Sequence, residues 1–261
     1  MTRRLTIAVA ALAALLAAGA PARAERLVTT LSRHQVMVTS NFTGTSIVVF
    51  GTIEADTPAS RRRTTGYDLV ITVAGPKQTL VARRKERVLG IWTNTDSRTF
   101  VNAPSYLAVL STQPFDKFVT ADLIKQQQLG LDSILLPQQI GPDLGDPGPN
   151  DTFRQQFVRL KKEHKLYVET TNGVTLLTPT VFRADVTLPA ETATGNYDVD
   201  VRVFADRQIV ARGGSAFEIV KVGFEQFVVT AARDYGFVYG LAAAMMAVVT
   251  GWLASIIFRR D

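Results

Sequence analysis

The stretch Tyr197-Asp198-Val199-Asp200-Val201-Arg202-Val203 alternates an apolar residue with a charged one at every step. Successive side chains of a β-strand point to opposite faces, so this pattern makes a strand with one buried and one solvated face. Phe182, Ala184, Val186 and Leu188 alternate with Arg183, Asp185 and Thr187 in the same way. After the first of these stretches, Ala205-Asp206-Arg207-Gln208 reads as a turn into a further strand over 209–222. Strand, turn and strand at this spacing pair antiparallel, and their apolar faces need a second layer to cover them. The expected fold is mainly β, an immunoglobulin-like antiparallel β-sandwich.

Upstream, residues 35–38, 46–50 and 67–73 are rich in β-branched and aromatic side chains and are separated by Gly and Pro, so they too predict strands. The pattern breaks in the middle. Residues 120–128 predict a short helix with Leu123 and Ile124 inward. Residues 151–164 predict a firmer one, with Phe153, Phe157 and Leu160 on one face. Asp151 suits its N-cap, and Lys161, Lys162 and Lys165 suit the negative end of its dipole. The Gly- and Pro-rich segment 137–149 predicts loop, and Gly213-Gly214-Ser215 predicts a turn at a strand edge. The organisation is therefore N-terminal β-sandwich strands over 25–115, a helical and loop insert over 116–165, and C-terminal strands over 166–222. Whether these form one sandwich or two small ones stays open, although three or four strands after residue 165 are few for an independent domain.

Both ends of the chain differ from this middle. Arg3 and Arg4 precede an uncharged run over 5–22, followed by Ala22-Arg23-Ala24. A basic start, a short apolar stretch, the helix breaker Pro21 and A-x-A predict a signal peptide over 1–24 and a mature start at Glu25; an uncleaved anchor is the alternative. Thr2-Arg3-Arg4 loosely matches a twin-arginine motif, but such a pair also serves as ordinary positive charge, and general secretory export is expected. Residues 235–258 are 24 uncharged residues, a helix about 36 Å long against a hydrocarbon core of about 30 Å. Tyr235 and Tyr239 near one end and Trp252 and Phe258 near the other suit the headgroup level. A juxtamembrane segment, 223–234, leads into this transmembrane helix, and 259–261, with Arg259 and Arg260, forms a cytoplasmic tail under the positive-inside rule. Phe224 and Phe227 can dip into the interface or complete the sandwich. Within the span Gly236, Gly240, Ala244, Ala247, Gly251 and Ser255 lie four, four, three, four and four residues apart, along one face where another helix can approach closely. That face allows association with another membrane protein or with a second copy of the chain, beyond the lipid bilayer itself; the alternative is a plain anchor, since alanine and glycine are common in membrane helices.

The whole chain has 29 basic and 23 acidic residues. The first 24 residues hold three of the basic ones and the tail two basic and one acidic, which leaves 24 against 22, a charge of +2. So balanced a middle gives no nucleic-acid signal. Basic clusters remain at Arg61-Arg62-Arg63 and at Arg83-Arg84-Lys85 with Arg87. The second is followed by Gly90 and Trp92. The expected reading is a charged hairpin edge with Trp92 in the core; the alternative is that Arg83, Arg84, Lys85, Arg87 and Trp92 make an interaction patch for phosphate headgroups or an acidic partner.

The chain has no cysteine, which excludes disulfides, thiolate chemistry and a lipoprotein anchor. His34 and His164 fall in different elements, without metal-site spacing. Asp143, Asp146 and Asp151 miss the positions of a calcium loop, and no nucleotide-binding or nucleophile-elbow motif occurs. No catalytic residue, cofactor or metal is expected. The main expectation is an accessory subunit. A ligand-binding or sensory ectodomain would need a deep apolar pocket, and a periplasmic enzyme a polar cleft with convergent ionisable groups.

Ser40-Asn41-Phe42-Thr43-Gly44-Thr45, with Val48-Val49-Phe50-Gly51 and Ile53-Glu54, resembles the start of the alphaproteobacterial conserved transmembrane proteins, a family of about this length without an assigned function. Further matches are Arg83-Arg84-Lys85-Glu86-Arg87 with Gly90-Ile91-Trp92, Lys221-Val222-Gly223-Phe224-Glu225-Gln226-Phe227, Tyr239-Gly240-Leu241 and Gly251-Trp252-Leu253-Ala254. The resemblance implies an inner-membrane location and little else; members of the family are found as neighbours of sulfite-exporter-type permeases. It supplies no catalytic residue.

Overall fold

The structure is a computed structural model that describes residues 25–54, 66–140 and 143–257. The signal peptide expected over 1–24, the cluster Arg61-Arg62-Arg63, the end of the span at Phe258 and the tail lie outside the described residues, as do the side chains of Phe224 and Phe227.

In chain order the strands are β1 (Arg26–Leu31), β2 (Gln35–Val38), β3 (Gly44–Glu54), β4 (Asp68–Ala74), β5 (Lys77–Val88), β6 (Ile91–Pro104) and β7 (Leu107–Ser111). The insert holds α1 (Phe115–Phe118), α2 (Ala121–Gln126), β8 (Gln138–Ile140), β9 (Asp143–Gly145) and α3 (Thr152–Glu163). Then come β10 (Tyr167–Thr171), β11 (Val174–Leu176), β12 (Val181–Pro189), β13 (Gly195–Ala205) and β14 (Gln208–Lys221), followed by α4 (Phe224–Asp234) and α5 (Gly236–Ile257).

Two sheets form the sandwich. One has the order β1-β3-β12-β11, the other β10-β7-β4-β13-β14-β2. The alternation that begins at Tyr197 places Tyr197, Val199, Val201 and Val203 in the shared core, against Ile47 and Val49 of β3 and Phe182, Ala184, Val186 and Leu188 of β12. Strands from before and after the insert pair directly, β12 with β3 and β13 with β4, so they interleave in a single sandwich. At Gly51 the backbone passes so near β1 that a Cβ would lie 2.3 Å from the Val28 carbonyl oxygen and 2.8 Å from the Phe182 ring.

The six-stranded sheet is covered on its second face as well. Val70 of β4, Leu107 and Val109 of β7, and Phe204 of β13 pack there against Phe118, Leu129, Leu131, Phe157 and Phe100 from the insert and β6. Double burial explains the unbroken run Leu69-Val70-Ile71 in β4 and the wholly buried β7, where alternation would otherwise be expected.

The fold is mainly β with mostly antiparallel pairing, as expected; two edge strands depart from it, β2 joining β14 and β10 joining β7 in parallel, because each arrives from a remote part of the chain instead of through a hairpin. Two expectations are corrected. Gly213-Gly214-Ser215 is no turn but the middle of β14, where the absent Cβ of Gly213 makes room for the Leu27 side chain 2.9 Å away. The segment 137–149 is not all loop. Its β8 and β9 add to the edge of β6 at Thr99 and Phe100, a pairing that local Gly and Pro content does not reveal. The turn at Asp206-Arg207 is a two-residue hairpin with φ of 51° and 63°, the primed geometry that matches strand twist. Both expected helices are present, and Asp151 caps α3 by accepting the Arg154 N–H at 2.8 Å.

Candidate functional site

The ionisable side chains that invite a chemical reading have structural partners. His34 faces the Ala216 carbonyl at 3.3 Å and His164 faces Glu191 at 2.7 Å, in separate parts of the molecule. Asp146 takes both oxygens to the Arg154 guanidinium at 3.0 Å and accepts the N–H groups of Leu136 and Gly148. Burial pushes this carboxyl up, but those two N–H groups and the Arg154 charge outweigh it and hold the pKa below the usual carboxylate value. Arg154, only 3% exposed, also donates to the carbonyls of Asp132 and Ile134 and so ties the Gly- and Pro-rich segment to α3. Asp151 is used by its cap and by Gln138. Among the described residues no group of His, Asp and Glu is placed to hold a metal ion.

A cleft of about 860 Å³ opens between the outer face of the six-stranded sheet, the root of β5 and β6, and the insert. Its ionisable residues are Lys77, Asp198 and Arg202, with no histidine, serine or tyrosine in the lining. Arg202 is already held by Asp200 and the Gln127 carbonyl.

The most distinctive surface is the hairpin of β5 and β6. Its root is packed: Phe100 stacks on Phe157 with centroids 4.3 Å apart, and Arg98 lies over Phe153 at 5.0 Å. From residue 83 to residue 95 every side chain is exposed. These residues form a two-stranded arm reaching about 20 Å beyond Ala82 at about 3.3 Å per residue. The tip carries Val88, Leu89, Ile91 and Trp92, with Leu89 98% and Trp92 68% exposed. The expectation that Trp92 lies in the core is corrected: no layer covers the arm beyond Ala82 and Arg98.

Register sorts the basic residues. Directly opposed residues of an antiparallel pair share a face, and Arg83, Lys85 and Arg87 stand opposite Ser97, Asn94 and Trp92. Arg83, Lys85, Arg87 and Trp92 thus lie on one side. Arg84 lies on the other, paired to Glu86 at 2.9 Å beside an Asp96–Arg98 pair of the same length. Neither Arg83 nor Lys85 forms an ion pair among the described residues, so one face of the arm is cationic and the other neutralised. The turn itself is Leu89-Gly90, with φ of 50° and 88°. That is the site where Asn-Gly or Gly-Gly is favoured, and a leucine there costs about 1–2 kcal/mol. Val88, Leu89 and Ile91 are not part of the candidate patch read from sequence. The signal for them is an apolar run set directly between charges and around an X-Gly turn.

The six small residues of the terminal helix, from Gly236 to Ser255, fall within an arc of about 100° on α5. The helix is uncovered along its length, and a Cβ built at Gly236, Gly240 or Gly251 meets nothing within 4 Å. At 22 residues α5 is long and apolar enough to cross a bilayer.

A β-rich domain with a projecting arm, joined to one C-terminal apolar helix, defines a membrane protein with a folded extramembrane part. The chain belongs to the family described as "Putative transmembrane protein (Alph_Pro_TM)", whose model matches residues 26–260. The family resemblance read from the sequence thus holds over nearly the whole chain. No curated protein matches it. Among solved structures it is similar to a chain of the structure described as "Structural basis of T cell specificity and activation by the bacterial superantigen toxic shock syndrome toxin-1", at 10% identity and a TM-score of 0.27 over 76% of this chain and 100% of that one. It is also similar to the N-terminal domain of the Streptococcus gordonii adhesin Sgo0707, at 9% identity and 0.26 over 75% of this chain and 32% of that one. Neither likeness is close enough to carry a functional argument.

Proposed function

We propose that this membrane protein is a non-enzymatic interaction subunit of an inner-membrane complex. In this reading residues 1–24 are removed on export, the β domain stands in the periplasm and 259–261 remain in the cytoplasm. The arm carries the proposal: a domain that holds His34, His164, Asp146 and Asp151 in structural contacts nonetheless exposes an apolar tip and a cationic face. The small-residue face of α5 supports a polytopic membrane protein, such as a transporter, as the partner. The apolar start with Ala22-Arg23-Ala24, and Arg259 and Arg260 after the helix, support the orientation.

The test is affinity purification of the tagged full-length protein from membranes in mild detergent, beside a Gly240→Leu plus Gly251→Leu variant. Because no described residue meets those two glycines, the variant is aimed at contacts to another molecule. A specific membrane protein recovered with the wild type and lost with the variant is expected. Recovery of the protein alone, or of the same partner with both, overturns the docking role. Since the chain has no cysteine, Thr93→Cys gives a single thiol on the arm. It should react with an impermeant maleimide once the outer membrane is opened; reaction only after rupture of the inner membrane overturns the periplasmic placement.

A further inference from the structure

We infer that the β5–β6 arm docks on the anionic phospholipid surface of the bilayer that holds α5, its cationic face at the phosphates and its tip among the headgroups and upper acyl chains. The inference rests on the proposed function, since it names what that exposed arm contacts.

Topology places the root of the arm at the membrane end of the sandwich. A Cβ on Gly195 would lie 3.2 Å from Pro76, the residue just before β5. Gly195 stands opposite Ile219 on β14, which ends at Lys221 and leads through Gly223 into α4 and α5. Leu80, Val81 and Ala82 of β5 line a pocket with Glu191 of the adjoining 190–194 loop. The arm and the membrane helix therefore leave the domain from the same end, and β5, which bears Arg83, Lys85 and Arg87, is the strand nearer that end.

The chemistry of the arm fits the same surface. Three cations two residues apart on one strand face line up about 7 Å from one another, a row that meets a sheet of phosphates better than a single carboxylate. Trp92 closes that row at the tip, where an amphipathic ring suits the headgroup level. Val88, Leu89 and Ile91 extend beyond it, and a two-stranded ribbon that exposes them is marginal in water without a surface to cover them. Leu89 occupies a turn position that favours asparagine or glycine, so local propensity is given up to keep an apolar side chain at the outermost point. An acidic protein rim would satisfy the cations but not this tip.

The experiment uses the full chain with Trp252→Phe, which leaves Trp92 as the sole tryptophan, reconstituted in nanodiscs. One preparation is phosphatidylcholine alone, the other an equal mixture with phosphatidylglycerol, each with and without brominated acyl chains. In the anionic discs Trp92 emission should shift to the blue and be quenched by bromine. A further Arg83→Ser, Lys85→Ser, Arg87→Ser variant should lower the docked-to-free ratio roughly a hundredfold, about tenfold or less per charge, and raised salt should act in the same direction. These residues are exposed and distant from both cores, so an unchanged melting curve certifies the fold of the variant. Water-exposed, unquenched Trp92 emission in both discs overturns the inference. If a photo-crosslinker at Leu89→Cys then captures a protein in native membranes, the arm binds protein and the proposed function stands. If it captures nothing, the arm-based reading falls as well.

Discussion

Replacing Asp146 by Asn should destabilise the extramembrane domain by about 3–5 kcal/mol, the usual cost of stranding one charge of a buried pair. The magnitude follows from Arg154. Arg154 is 3% exposed and its guanidinium makes four hydrogen bonds, two of them to the Asp146 carboxylate at 3.0 Å. An asparagine keeps the shape and can still accept a backbone N–H, but it leaves the arginine charge uncompensated. For a domain of this size each kcal/mol moves the melting temperature by about 2–4 °C, so a drop of roughly 10 °C is expected in circular-dichroism melting of the detergent-solubilised protein. Adding Arg154→Met to the variant should restore part of the loss, because it removes the stranded charge. The pH dependence has a definite sign. The folded carboxyl has a lowered pKa, so its contribution is complete above the ordinary carboxylate value near 4 and disappears as pH falls through the lowered one. Wild type and Asp146→Asn should therefore converge in acid. A melting temperature for the variant within about 2 °C of wild type at neutral pH would refute the assignment of this pair as the clamp between segment 137–149 and α3.

Gly51→Ala puts a methyl group against the Val28 carbonyl oxygen and the Phe182 ring and should cost about 1–3 kcal/mol in chemical denaturation. Asp151→Ala removes the α3 cap and its bond to Gln138; the expected loss is about 1–2 kcal/mol, read in the same way. Leu89→Asn should have opposite effects on stability and contact. It relieves the left-handed leucine and slows amide hydrogen exchange in the arm by about tenfold, equivalent to about 1.4 kcal/mol, while weakening the bromine quenching of Trp92 in anionic discs.

Several features of the fold were legible because they depend on the local chain. The alternation over 197–203 and 182–188 requires strands whichever neighbours they acquire. Asp151 before an apolar-faced segment requires a capped helix, Asp206-Arg207 a tight turn, and the apolar stretch 236–257 a helix suited to lipid. Three results came only from the tertiary structure. The parallel docking of β2 and β10 depends on partners far away in sequence. The unbroken apolar runs of β4 and β7 come from a second layer on the outer face of their sheet. The fate of Arg83, Arg84, Lys85, Arg87 and Trp92 was the hardest to read. The residues themselves announce a charged segment beside an aromatic. Whether Trp92 is buried depends on what packs over the hairpin, and which cations join it depends on the cross-strand register, including the irregularity between Arg84 and Lys85. Both are properties of non-local contacts, which a run of residues does not encode by itself.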